Sequence, residues 1–358
     1  MSRIALIMAG GTGGHVFPAL AVADALAAEG WQIHWLGTRG RLEEQVVPRA
    51  GYPIHYLPVQ GLRGHGWQRR LLAPIALLRS LWRGWRLMRE LRPAVALGMG
   101  GYASGPGGVA AWLARVPLVV HEQNAAAGLT NRLLAPLARR VLAAFADTQG
   151  LKAKVVGNPL RAAFIDAAQP APTPWQLLVV GGSLGARFLN QTLPDAIAAS
   201  RHPWRVVHQC GQADVAAVCQ RYAAAGMAAR AEVQPFIEDM ACAYAASQLV
   251  ICRAGALTVS ELAAIGVASI LVPLPNAVDD HQTRNAQVLV QAGAALLAPQ
   301  ATTAAANFTA WLDELGDDPA RLAAMAAAAR QVARPTATTD VVNELNAVAR
   351  GARSSYDG

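Results

Sequence analysis

The chain has 358 residues, 53% of them apolar and 15% charged, with 31 Lys and Arg against 23 Asp and Glu for a formal net charge of +8. That is enough for about two domains of roughly 150 residues each, it is too apolar for a disordered chain, and no run approaches the roughly 20 uninterrupted apolar residues of a membrane span. The basic balance favours anionic partners, whether nucleic acid, membrane or nucleotide, and only the placement of the charges decides among them.

In chain order, Met1-Ser2-Arg3 leads straight into the strand-like Ile4-Ala5-Leu6-Ile7-Met8. No long apolar segment followed by a small-residue cleavage site is present, so no signal peptide is expected and the chain is expected to be soluble or peripheral. Apolar runs at residues 32–36, 54–58, 94–98, 117–121 and 141–144 alternate with helical patterns that include 18–28, 105–114 and 129–137. That rhythm predicts a doubly wound parallel sheet.

The rhythm stops at Val155-Val156-Gly157-Asn158-Pro159, crosses a stretch with Pro170, Pro172 and Pro174, and restarts at 176–180. Later strands are expected at 205–209, 232–235, 249–252 and 269–273. The predicted class is α/β, with one Rossmann-like domain over residues 1–157 and a second over 158–335. Ligands of such sheets bind outside the carboxyl ends of the strands, so two domains facing each other would form a ligand cleft. Cys210, Cys219, Cys242 and Cys252 lack CxxC spacing and histidine partners, and read as reduced, cytosolic core thiols.

Three glycine-rich turns fall where an apolar strand ends and a helix can begin: Gly10-Gly11-Thr12-Gly13-Gly14-His15, Gly98-Met99-Gly100-Gly101-Tyr102 and Gly181-Gly182-Ser183-Leu184-Gly185-Ala186-Arg187. Glycine lets backbone N–H groups converge, and the helix that follows adds partial positive charge, so such turns seat phosphates. Each could alternatively serve only tight strand-to-helix packing.

The first turn is neither G-x-G-x-x-G, since Val16 takes the third glycine position, nor a lysine-bearing Walker loop. The second fits the loose G-x-G-x-x-A through Gly98, Gly100 and Ala103, with Glu122 placed as a ribose-binding acid would be, which keeps a dinucleotide reading open. A fourth candidate is Cys252 to Glu261, where Ala256, Leu257 and Thr258 would offer N–H groups from a helix start and Glu261 a carboxylate one turn later. The plain alternative is that Thr258 caps that helix and Glu261 is a first-turn acid.

Between Trp67 and Arg92, Pro74 fits a first helical turn. Ile75, Leu78, Trp82 and Trp85 recur at helical spacing, while Arg79, Arg83, Arg86 and Arg89 follow another flank. Either the apolar stripe is buried as in an ordinary crossover helix, or tryptophans beside arginines meet an anionic lipid surface. Nucleic acid is not expected as a partner, because the charge is confined to one helix without a nucleic-acid fold signature.

Six ordered motifs, GGTGGH, GMGGYASGP, HEQNAAAGLTN, GNPLR, GGSLGAR and RAGALTVSEL, span nearly the whole chain. In that order the sequence resembles the peptidoglycan N-acetylglucosaminyltransferases of glycosyltransferase family 28. The resemblance implies a two-domain GT-B fold with its domains facing across a cleft and a C-terminal helix at about 336–358 that packs back on the first domain. It implies inverting transfer of N-acetylglucosamine from UDP-N-acetylglucosamine to the C4 hydroxyl of the muramyl sugar of lipid I, which is undecaprenyl-pyrophosphoryl-MurNAc-pentapeptide, and this makes lipid II. It further implies a peripheral place at the cytoplasmic face of the inner membrane, with an anionic lipid surface and other cell-wall synthesis proteins as partners, and no metal or cofactor.

On this sequence the resemblance implies Thr12, Gly13, Gly14 and Asn124 on the sugar side and Arg161, Ser183 and Ile237 on the nucleotide. It places uracil and ribose at Ala256, Leu257, Thr258, Val259, Ser260 and Glu261, and the donor sugar near Gln282. Leu184 departs from the pattern, standing where many members carry glutamine. Ile75, Arg79, Trp82, Arg83, Trp85 and Arg86 are the implied membrane contacts. The acceptor hydroxyl needs a base, for which His15 is the candidate and His121 and Glu122 are rivals. A nicotinamide- or flavin-binding oxidoreductase and a peripheral nucleic-acid-binding protein remain the readings to be excluded.

Overall fold

The computed structural model describes residues 3–58, 67–165, 174–182, 185–275 and 280–354, the side chains of 67–75 and 352–354 excepted. The chain divides into two compact units, Met1–Arg161 with Arg334–Gly358, and Ala162–Ala333.

The first unit contains β1 (Ile4–Met8), α1 (Gly13–Ala28), β2 (Gln32–Gly37), α2 (Leu42–Arg49), β3 (Ile54–Tyr56), α3 (Trp67–Leu91), β4 (Val95–Gly98), α4 (Ser104–Leu113), β5 (Leu118–Glu122), α5 (Leu129–Leu134), β6 (Arg140–Ala143) and β7 (Lys154–Val155). Its strands pair in parallel in the order β3-β2-β1-β4-β5-β6-β7. Parallel strands covered on both faces read as unbroken apolar runs, and Val95–Gly98 and Leu118–Glu122 are buried throughout.

Alternation within β1 supplies both faces of this sheet. Ala5 and Ile7 pack with Val16, Val22 and Leu26 of α1, whereas Leu6 and Met8 pack with Met88 of α3, Ala111 of α4 and Leu134 of α5. The α1 face is completed by the last helix of the chain, through Val341, Val342, Leu345 and Val348.

The second unit contains β8 (Gln176–Val180), α6 (Arg187–Ala198), β9 (Arg205–Gln209), α7 (Val215–Ala224), β10 (Ala231–Gln234), α8 (Met240–Ala245), β11 (Leu249–Cys252), α9 (Ala256–Ile265), β12 (Ala268–Leu271), α10 (His281–Gln291), β13 (Ala295–Leu297), α11 (Ala305–Asp317) and α12 (Pro319–Val332). The helix that returns to the first unit is α13 (Ala337–Ser354). The second sheet is also all parallel, in the order β10-β9-β8-β11-β12-β13. Leu177 and Val179 meet Leu189, Leu193 and Ile197 of α6, with Phe308 and Leu312 of α11 in the same core.

In both sheets the strand order reverses about the first strand, between β1 and β4 and between β8 and β11. These are the topological switch points at which open α/β sheets bind ligands. Each of the four strands that flank them ends in one of the glycine-bearing turns.

Several details depart from the sequence reading. Helix α1 begins at Gly13, with Thr12 extended before it, so the glycine turn itself winds into the helix and Pro18 lies inside. Helix α3 begins at Trp67, which puts Pro74 within it and not in a first turn. Cys210 and Cys252 are buried but Cys219 and Cys242 are exposed on helices, so only two of the four thiols belong to the core. The short strands β7 and β13 have too few residues to show a period of their own.

Candidate active site

In the first unit, the turn after β1 is fastened from beneath. Gly11 N–H donates to Glu43 Oε2 at 2.9 Å, while Thr38 donates to Oε1 through its amide at 3.1 Å and its hydroxyl at 2.7 Å. Glu43 is fully buried, so these charge-assisted bonds satisfy a carboxylate that would otherwise be costly. The turn after β4 presses on the first one: a Cβ on Gly101, at φ +86°, would stand 2.3 Å from Gly10 O. Ser104 Oγ lies 2.7 Å from Met8 O and 2.6 Å from Gly100 O, tying the second turn to β1.

Above these turns, Thr12 is exposed as the N-cap of α1, and Gly13 and Gly14 occupy the first turn, where backbone N–H groups have no intrahelical acceptor. His15 follows them. Its ring lies over Gly100, where an added Cβ would be 2.9 Å from Cε1, and its Nδ1 is 2.9 Å from Gln123 Oε1.

The segment after β5 completes this half. Glu122 Oε1 accepts from Asn124 N at 2.9 Å and Asn124 Nδ2 at 3.1 Å, and its Oε2 accepts from Gly128 N at 3.1 Å and Asn131 Nδ2 at 2.8 Å. Four internal donors occupy this buried carboxylate, so it acts as the hub that shapes the Asn124 loop. The group expected as a rival base, and as the ribose acid of a dinucleotide fold, thus takes part in four bonds within the protein. His121 is fully buried, and burial pushes its pKa down to about 4; its Nε2 lies 2.9 Å from Gly157 O. Its Nδ1 lies 3.2 Å from Gln123 Nε2, so both ring nitrogens meet protein groups. Arg161, expected on the nucleotide, groups with the first unit, and its guanidinium lies 5.4 Å over the Phe17 ring of α1, two residues beyond His15.

In the second unit, Gly182 and Gly185 take φ +87° and +73°, and Gly185 N–H donates to Gly182 O at 2.9 Å, closing the turn that opens α6. A Cβ on Gly185 would fall 2.2 Å from Cys210 O, so the turn is glycine for close approach as well as for φ. Ser183 and Leu184 lie outside the described residues. Gln209, at the end of β9, accepts from Gly182 N at 3.0 Å and donates to Gly182 O at 3.1 Å and Pro235 O at 3.0 Å. One buried amide thus fixes both the glycine turn and the start of the segment bearing Ile237, which is itself buried beside an exposed Phe236.

The turn after β11 is built differently. Gly255 is the extended N-cap of α9, and Ala256 to Glu261 form that helix's first turn and a half. Thr258 is not the cap. Ser260 Oγ bonds back to Ala256 O, and Glu261 is 8% exposed, close to the Tyr244 hydroxyl and the Cys252 thiol; burial first, and this carboxylate second, push both of those groups up. Arg253 donates to Val272 O at 3.1 Å, Pro273 O at 3.3 Å and Gln300 Oε1 at 2.9 Å, so one guanidinium gathers the ends of β11, β12 and β13. Gln282, in the first turn of α10, accepts from Leu274 N at 2.9 Å, which leaves its NH2 to donate.

On α3 the buried stripe is not the aromatic one. Ser80, Gly84 and Met88 face inward, and a Cβ on Gly84 would be 2.9 Å from Ala110 Cβ of α4. Leu78, Trp82 and Trp85 are 65%, 57% and 40% exposed, with Arg86 and Arg89 each 5.8 Å over a tryptophan ring, and Arg79 and Arg83 are exposed beside them. The side chain of Ile75 lies outside the described residues. Trp112 and Leu113 of α4 and Leu129 and Leu133 of α5, none anticipated from the sequence, are exposed on the neighbouring helices. Among the described residues no helix is long and apolar enough to cross a membrane.

Two parallel-sheet units, each with glycine-bearing turns at its switch point, define a two-domain nucleotide-binding architecture of the GT-B class. The sequence matches the Glycosyltransferase family 28 N-terminal domain over residues 5–143 and the family 28 C-terminal domain over residues 176–341. The chain belongs to glycosyltransferase family 28.

Curated relatives from Aeromonas hydrophila and Azotobacter vinelandii, each named UDP-N-acetylglucosamine--N-acetylmuramyl-(pentapeptide) pyrophosphoryl-undecaprenol N-acetylglucosamine transferase, are 54% and 53% identical to it. The alignments cover 98% of this chain in both cases, and 98% and 100% of the relatives. The crystal structure of Acinetobacter baumannii MurG is similar at a TM-score of 0.84 and 43% identity, covering 96% of this chain and 99% of that one. The glycosyltransferase VinC in complex with dTDP shares the fold at a TM-score of 0.68 and 18% identity, covering 97% of this chain and all of the other.

Proposed function

We propose that this chain is the UDP-N-acetylglucosamine-dependent transferase that glycosylates the C4 hydroxyl of the muramyl sugar of lipid I, with inversion, to give lipid II. The observation that carries the reading is the paired switch points, in a chain aligned end to end with transferases named for this reaction.

The donor belongs to the second unit. The Gly181–Gly185 turn and the amides at the start of α9 would hold the pyrophosphate and uridine, with Glu261 on the ribose and the NH2 of Gln282 toward the sugar. Backbone dipoles aimed at the leaving diphosphate stabilise its developing charge without reorganising during the reaction. The acceptor belongs to the first unit, over Thr12, Gly13, Gly14 and Asn124. His15 Nε2 takes the acceptor hydroxyl's proton as its oxygen attacks the anomeric carbon. The bond from that carbon to the β-phosphate oxygen breaks, and its electron pair leaves with UDP through a transition state of oxocarbenium character.

The exposed aromatic and cationic face of α3 would bring this unit to an anionic membrane surface, rings at headgroup level and arginines on phosphates, as a peripheral protein on the side where UDP-sugars are made. Transfer of labelled N-acetylglucosamine from UDP-N-acetylglucosamine to a lipid-linked muramyl acceptor tests the reading. Product at the expected mass supports it, and tighter binding of NADH than of UDP in calorimetry would overturn it.

A further inference from the structure

The two buried side chains that follow β5's apolar core, His121 and Gln123, form with His15 a single hydrogen-bonded chain whose direction can be read from its ends. At one end His121 Nε2 lies 2.9 Å from Gly157 O, and a backbone carbonyl can only accept, so the proton is on Nε2. Burial keeps this ring neutral, with its pKa pushed down to about 4, which leaves Nδ1 as an acceptor.

The middle of the chain is fixed in the same way. The amide of Gln123 lies 3.1 Å from His121 O and 3.2 Å from His121 Nδ1, both acceptors, so the end that meets them is the NH2. Its oxygen therefore points the other way, 2.9 Å from His15 Nδ1, and must receive a hydrogen from it. Each link follows from the one before, and none depends on choosing an amide orientation by eye.

We propose that Gln123 is a positioning residue that holds His15 as the Nδ1–H tautomer, so that the lone pair of Nε2 is the one presented to the acceptor hydroxyl. The inference rests on the reading of His15 as the base. Free imidazole prefers its proton on Nε2, the form in which that nitrogen is a donor and useless for accepting a proton. The Gln123 oxygen reverses this preference, and Gly100, bare of a Cβ, lets the ring lie flat where that bond can form. Gln123 is 1% exposed and touches no substrate itself.

The test compares wild type with Gln123→Met, His15→Ala and the double variant, using 15N spectra of histidine-labelled protein alongside steady-state transfer. In the wild type the His15 signals should be those of an Nδ1–H ring. In Gln123→Met they should move toward the Nε2–H form, kcat should fall by about ten- to a hundredfold, a fraction of what a general base supplies, and KM for UDP-N-acetylglucosamine should stay within about twofold. The double variant should be no slower than His15→Ala alone.

If Gln123→Met keeps the Nδ1–H signature and full kcat, the proposal is overturned. If it slows the His15→Ala enzyme further, Gln123 supports the fold and not the tautomer, which also overturns it. Full turnover by His15→Ala is a separate result, and removes the base reading on which the proposal rests.

Discussion

A carboxylate ringed by donors is hard to replace even by its own amide, because the new NH2 must face a hydrogen already there. Glu122 is in that position, with all four of its bonds coming from N–H groups. Glu122→Gln is therefore expected to cost about 1–3 kcal/mol of stability, read as a lowered urea midpoint for the first unit. Gly101→Ala strikes harder and more locally, since its methyl would meet Gly10 O at 2.3 Å with the backbone at φ +86°. That variant should lose transfer while keeping calorimetric UDP affinity, because the turns it disturbs are in the first unit and the turns proposed for the nucleotide are in the second. Weakened UDP binding would show that the two sets of turns are not independent.

Glycines at strand ends were legible in the sequence because only they tolerate these angles and approaches. The side chains that fasten them were not: Glu43, Gln123 and Gln209 are single polar residues at helix starts and strand ends. Nothing in their spacing says that they turn inward and meet Gly11, His15 and Gly182. The one usable signal was a polar residue at the carboxyl end of a largely apolar strand, as Gln209 is in Val206-Val207-His208-Gln209.

At the scale of elements, α3 carries the sharpest difference between pattern and packing. Helical spacing marks Leu78, Trp82 and Trp85 as a stripe, but periodicity alone does not say which stripe faces the sheet. Small residues decide it: Gly84 allows α3 to sit closely on Ala110 of α4, Ser80 is buried on the same stripe, and the large side chains are turned outward. Replacing Gly84 with valine should separate the two helices at a cost of about 1–3 kcal/mol, measured by thermal unfolding. Replacing Trp82 and Trp85 together with serine should leave stability nearly unchanged, since both are exposed, yet weaken sedimentation with anionic vesicles several-fold at constant UDP affinity. Undiminished vesicle binding would overturn the proposed role of these tryptophans, with Trp112 and Leu133 the next exposed residues to change.

For the whole molecule, each unit buries a neutral histidine. Burial pushes His121 down to about 4 in the first unit and His208 to about 3 in the second, where Asn190 and Tyr222 hold its ring. Unfolding returns both to an ordinary value near 6.5, so below that pH the unfolded chain binds protons that the native state does not. Stability contributed by keeping these rings neutral is complete above about pH 6.5 and is lost as the pH falls toward 4, by about 3 kcal/mol for His121. Urea midpoints recorded between pH 7.5 and 4.5 should begin to fall near pH 6.5, above the range in which carboxylates titrate. A profile flat down to pH 5 would mean that these rings are less buried than described.

The return of α13 to the first sheet has a consequence for how the polypeptide is made. Emerging from the ribosome, residues up to 333 include the whole of the second unit, whereas the earlier-born half still lacks the helix that shares a core with Val16, Val22 and Leu26. The portion synthesised first is thus the last to mature, and it waits with an oily sheet face uncovered while an entire globule is threaded out behind it. Clipping the chain before Ala337 should spare the later-born half and cripple the older one.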